Sequence, residues 1–140
     1  MTKKVVVLPC SGVGKVYGTI SREAAYKAVE KLKPEKTSIT CLPLLVVGDE
    51  NAKKMVQENP CIVINGCPSG CAALAAEKAG GNIVEIIDVT KVLKDNRDLK
   101  PNQMAIRELD PKGKKLAEII AEKISQEVDR ILDSDKEEGG

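Results

Sequence analysis

The chain alternates short β-branched runs with stretches of helical periodicity, and this alternation limits its possible folds more than any other feature. Lys3 to Leu8, Cys61 to Asn65 and Asn82 to Val89 are rich in Val and Ile and read as strands. After the first, Pro9 to Gly18 reads as a Gly-rich loop. Apolar Ile20, Ala24, Ala25, Ala28, Val29 and Leu32 then recur at helical spacing, with Ser21 as the expected N-cap and Pro34 as the stop. Thr37 to Gly48 is ambiguous. Its apolar residues suggest a strand, but Pro43 argues against a central one, so Cys41 is expected on a loop or short edge strand. Asp49 to Glu58 reads as a short helix closed by Asn59-Pro60. Pro68 suits the first position of another, with Cys67 as its cap, and this Ala-rich helix is expected to end at Gly80-Gly81. Lys94 to Gln103 reads as a loop. Asp110-Pro111 opens the last helix, whose Leu116, Ile119, Ile120, Ile124, Val128 and Ile131 form one apolar stripe suited to packing on the sheet.

Strands alternating with helices predict an α/β fold: a small parallel sheet of three to four strands flanked by helices, a Rossmann-like three-layer sandwich. Residues 1–132 are expected to form one domain and 133–140 a disordered acidic tail. In a parallel sheet, sites form beyond the carboxyl ends of the strands. Cys10 follows the first strand and Cys67 the second clear one, so two cysteines remote in sequence are expected on one rim.

Composition narrows the chemistry. The chain has five cysteines and no His, Phe or Trp. Without His, Ser-His and Cys-His catalysis are excluded, and any transition-metal site must be built mainly from sulfur. With only Tyr17 and Tyr26 aromatic, stacking platforms for single-stranded nucleic acid are not expected. A net charge of +1 gives no strong attraction to DNA or anionic lipid. Leu42 to Val47, the longest nearly apolar run, is too short to cross a bilayer. The apolar stretch after Lys3-Lys4 stops at Pro9 and is not read as a signal peptide. The expected compartment is the cytoplasm, where thiols stay reduced.

An odd cysteine count in a reducing compartment points to metal binding or thiol chemistry rather than a disulfide framework. Asn65-Gly66-Cys67-Pro68-Ser69-Gly70-Cys71 is the densest motif. Cys67 at a helix cap and Cys71 one turn on would lie near unpaired backbone N–H groups and the positive end of the helix, which favour thiolate. Cys10, Cys67 and Cys71 supply three sulfurs for tetrahedral zinc, with Cys41 the natural fourth; three ligands with an open position is the alternative. Cys61 begins its strand, roughly 17–20 Å from Cys67, and reads as a buried apolar filler.

Cys10-Ser11-Gly12, Cys41-Leu42-Pro43, Ile64-Asn65-Gly66-Cys67-Pro68, Cys71-Ala72 and Glu77-Lys78-Ala79-Gly80 resemble, in order and spacing, the DGC-domain family of candidate zinc-binding proteins. The resemblance covers roughly the first 90 residues and implies Cys10, Cys41, Cys67 and Cys71 as chelators. The family's namesake Asp is Asn65 here, so a carboxylate near the cysteines is replaced by a neutral amide.

Two other chemistries use the same sulfurs. In a thiol-based redox or sulfur-handling enzyme, Cys10 or Cys67 would be the nucleophile, with Cys71 or Cys10 as resolving partner. An iron–sulfur cluster is the other, although the compact ferredoxin spacing is missing. The Gly12 to Gly18 segment departs from both the dinucleotide and the Walker patterns, yet its backbone N–H groups could hold a small anion. A phosphatase loop fails, because the first Arg after Cys10 is Arg22.

Overall fold

The computed structural model describes residues 4–10, 15–40, 42–66, 70–102, 104 and 107–139, with side chains described through 134. It is a four-stranded, wholly parallel sheet between two helical layers. The strands are β1 (Val5–Pro9), β2 (Thr37–Ile39), β3 (Pro60–Asn65) and β4 (Asn82–Asp88). The helices are α1 (Val16–Lys27), α2 (Leu42–Val46), α3 (Glu50–Glu58), α4 (Cys71–Lys78), α5 (Val89–Asp95) and α6 (Pro111–Gly139).

Side chains alternate across the sheet, and each face has its own core. Val5, Val7, Ile62, Ile64 and Ile87 pack against α1, α5 and α6. Val6, Leu8, Cys61 and Val63 pack against α2, α3 and α4. Strand β1 and most of β3 are apolar on both faces because both faces are covered. With no Phe or Trp, the first core is filled by the α6 stripe, where Leu116, Ile120, Ile124 and Val128 are fully buried.

The strand order is β2-β1-β3-β4. The chain leaves β1 toward β2 with α1 on one face, then returns across β1 to β3 with α2 and α3 on the other. Successive connections thus diverge between the carboxyl ends of β1 and β3, the switch point where open α/β sheets form their crevice.

Several elements differ from the sequence expectation. Helix α1 begins at Val16, so Tyr17 and Gly18 are helical and Ser21 lies inside the helix rather than at its cap. The i, i+4 row of Val16, Ile20, Ala24 and Ala28 extends the buried stripe one turn earlier. The end of α1 passes into a single π turn, Ala28–Leu32, where Lys33 N–H donates to Ala28 O at 2.8 Å.

The ambiguous segment divides into β2, a three-residue edge strand, and α2. Pro43 is accommodated in the first turn of α2, where no intrahelical partner awaits its missing N–H. Helix α4 starts at Cys71 after Gly70, not at Pro68. Gly70 takes a left-handed conformation, φ 67°, that breaks the helix from the preceding chain. Val89 belongs to α5 rather than to a strand, and α5 and a 3₁₀ turn, Arg97–Leu99, occupy much of the expected Lys94–Gln103 loop.

Helix α6 continues through Gly139 where a disordered tail from 133 was expected. Its last residues carry too little apolar surface to build a core, but Lys and Glu propagate an existing helix well and no breaker precedes Gly139. No helix among the described residues is long and apolar enough to cross a membrane.

Candidate functional site

Because all four strands are parallel, their carboxyl ends share one edge. Cys10 follows Pro9 directly at the end of β1. Its N–H donates to Ile64 O of β3 at 2.9 Å, which holds the departing chain against the central strand pair. The residue is 5% exposed. The buried Ser21 hydroxyl lies 3.2 Å from Cys10 O and 2.7 Å from Gly18 O. A side chain expected to cap α1 thus ties the body of that helix to the carbonyl at the exit of β1.

Gly66, just past β3, lies against the same helix. A Cβ at this position would meet Tyr17 O at 2.9 Å and Gly18 N at 3.0 Å. The exit of β3 and the first turn of α1 are therefore in backbone contact that only glycine permits.

Asn65, the last residue of β3, is 6% exposed and hydrogen-bonded through both ends of its amide. Its Nδ2 donates to Asp88 Oδ1 at 3.1 Å, and its Oδ1 accepts from Ala73 N at 3.3 Å. Ala73 is the third residue of α4, whose cap position is a glycine with no side chain to offer. Asn65 supplies that missing acceptor from the neighbouring strand. The same amide ties α4 to the end of β4. Asp88 also pairs with Lys91 at 3.5 Å.

Cys71 is the first residue of α4 and is exposed. Cys41 and Cys67 lie outside the described residues, as do Gly12, Val13 and Gly14 of the expected anion loop. Among the described residues, no group of three or more Cys, Asp or Glu could hold a metal. In sequence, Cys41 comes two residues after the end of β2 and Cys67 two after the end of β3.

Cys61 is fully buried at the opposite end of β3 from these elements. Its Sγ lies 3.3 Å from Val56 O and 3.4 Å from Asn59 O, either of which accepts its proton. Burial pushes the thiol up to about 11, against a smaller lowering by the Asn82 N–H. Its role as an apolar filler follows from this setting. A thiol with a higher pKa in the fold than in the unfolded chain stabilises fully below the unfolded value. That contribution is lost as pH rises through the folded value. The wild type should therefore lose about 2 kcal/mol of stability between mildly alkaline pH and pH 11 that Cys61→Val does not lose. Urea unfolding of both across that range checks this; parallel pH profiles would contradict it.

The remaining functional group on this edge was not singled out from the sequence. Arg22, on α1, lines a cavity of about 480 Å³ beyond the ends of β1 and β2, together with Cys10, Thr40 and Met55. In sequence it sits beside Glu23 in a mixed helix and carries no motif signal.

No curated protein and no solved structure matches this chain. The model of the DGC domain matches residues 6–112, from β1 past the whole carboxyl edge into the start of α6, and the chain belongs to the DGC-domain family.

Proposed function

We propose that this protein is a zinc-binding α/β module in which Cys10, Cys41, Cys67 and Cys71 together hold one metal ion at the carboxyl edge of the sheet. The supporting observation is the strand order. Strands β2, β1 and β3 are parallel neighbours, so the chain leaves all three at one edge within about 10 Å. Cys10, Cys41 and Cys67 follow those exits within two residues. Cys71 stands at the N-terminus of the helix that follows β3.

The donor set fits zinc. Four sulfurs complete a tetrahedral site, and the chain has no imidazole to compete. Four thiolates on a divalent ion carry a net double negative charge. The N-termini of α1 and α4 both begin at this edge and favour negative charge there. The neutral Asn65 adds no further anion. Bound in this way, zinc supplies a structural crosslink among three strand exits. Ser21, Gly66 and Asn65 hold the exits of β1 and β3 against α1 and α4.

Protein purified without a metal-affinity tag should contain about one zinc per chain. Cys71→Ser, at an exposed helix start, should fold and lose the metal on dialysis, and Cys10→Ser should lose it too. Cys61→Ser should keep it. Metal-free, folded wild type would overturn the reading, as would equal loss from Cys61→Ser.

The exposure of Cys71 favours one rival, a thiol enzyme or sulfur-handling protein with an accessible sulfur at a helix N-terminus. In that case Cys71 would be alkylated rapidly at neutral pH in untreated protein. Under the zinc reading, labelling is slow until a chelator is added. Broad visible absorption would indicate an iron–sulfur cluster on the same ligands.

A further inference from the structure

We propose that the cavity beside Cys10 is a binding site for a small organic acid, an apolar body carrying one carboxylate that pairs with Arg22. The cavity, about 480 Å³, falls within the ordinary range for small-molecule sites. It opens beyond the carboxyl ends of β1 and β2, between α1 and the α2–α3 segment. Its walls are mainly apolar, from Ile39, Leu42, Pro43, Leu44 and Met55.

The polar groups in this wall are unevenly satisfied. Asp49 is committed: its Oδ2 accepts Ala52 N at 2.9 Å, and it caps α3. Arg22 is not. Its Nη2 donates to Thr19 Oγ1 at 3.2 Å, a neutral acceptor. Its Nη1 is buried with no hydrogen-bond partner, and no acid among the described residues pairs with the guanidinium. A buried donor without an acceptor is costly, and a fixed guanidinium is shaped for a carboxylate. The apolar walls select against small hydrated anions. Arg22, the one cation lining the cavity among the described residues, offers its guanidinium to one carboxylate, while Asp49 in the same wall adds a negative charge that disfavours a second.

The site is independent of the metal reading except that Cys10 belongs to both walls. An occupant would therefore lie directly beside the proposed metal centre.

The test uses the full chain as purified, with hexanoate, hexanol and inorganic phosphate as probes and methyl NMR as readout. Hexanoate should shift the methyl signals of Ile39, Leu42, Leu44 and Met55 saturably. Hexanol and phosphate should each bind at least about tenfold more weakly. Arg22→Gln should weaken hexanoate by about tenfold or more and leave hexanol unchanged, with Arg22→Lys intermediate. Since Arg22 is half-buried, circular dichroism first establishes that each variant folds. The wild-type probe comparison stands whether or not they do. Equal binding of hexanoate and hexanol would overturn the proposal. So would shifts confined to methyls elsewhere, or the absence of any shift at millimolar hexanoate. Loss of zinc in Cys71→Ser without loss of hexanoate binding separates this site from the metal reading.

Discussion

Replacing Gly66 with alanine is expected to destabilise the protein by about 1–3 kcal/mol. The added Cβ would fall 2.9 Å from Tyr17 O and 3.0 Å from Gly18 N. Both are backbone atoms in the first turn of α1, so no rotamer change relieves the contact. The helix must shift away from β3, and that shift pulls on the Ser21 contact that holds Cys10. Stability should therefore fall, and under the proposed zinc site the metal affinity falls with it. Urea unfolding in the presence and absence of chelator measures both. A change under about 0.5 kcal/mol, the range of unremarkable surface substitutions, would mean that the close approach does not govern this edge.

Asn65→Asp should produce a strongly pH-dependent loss. In the wild type the Asn65 amide donates to Asp88 at 3.1 Å. A carboxylate there would face Asp88 oxygen to oxygen, and the pair would resist double ionisation. One carboxyl pKa would then rise in the folded state. A carboxyl with a raised folded pKa contributes full stability below its unfolded value, near 4, and loses it as pH rises through the folded value. The variant should approach wild-type stability at about pH 4 and fall about 1–4 kcal/mol below it at pH 7.5. Adding Asp88→Asn should remove the pH dependence, because one acid and one amide again face each other. A gap independent of pH would show that the bridge between β4 and α4 is not made through this pair.

The layered fold and the parallel run of its strands were legible because they rest on strong local signals. Strands β1 and β3 are uninterrupted apolar runs, and the α6 stripe repeats over many turns. Cys61 could be set apart by its place at the start of a strand. The misread elements are short or depend on tertiary context. Leu42–Val46 is as apolar as a strand yet forms a one-turn helix after the three-residue β2, a length too short for periodicity to separate the two. Helix α5 has seven residues, too few for periodicity to separate it from the strand it follows.

The contacts that shape the edge were illegible for a different reason. Asn65 accepts from Ala73 N, eight residues on in α4, and meets Asp88 only through the register of β3 with β4. Ser21 looked like a cap because it precedes an apolar stripe, yet its hydroxyl reaches Cys10 from within the helix. Arg22 stands out only once the cavity it lines, and its unpartnered nitrogen, are known.

The most direct measurement is the zinc K-edge absorption spectrum of protein loaded with one equivalent of the metal. Convergence of Cys10, Cys41, Cys67 and Cys71 predicts a single shell of four sulfurs at about 2.3 Å. A shell dominated by oxygen or nitrogen at about 2.0–2.1 Å, unchanged in Cys71→Ser, would contradict it.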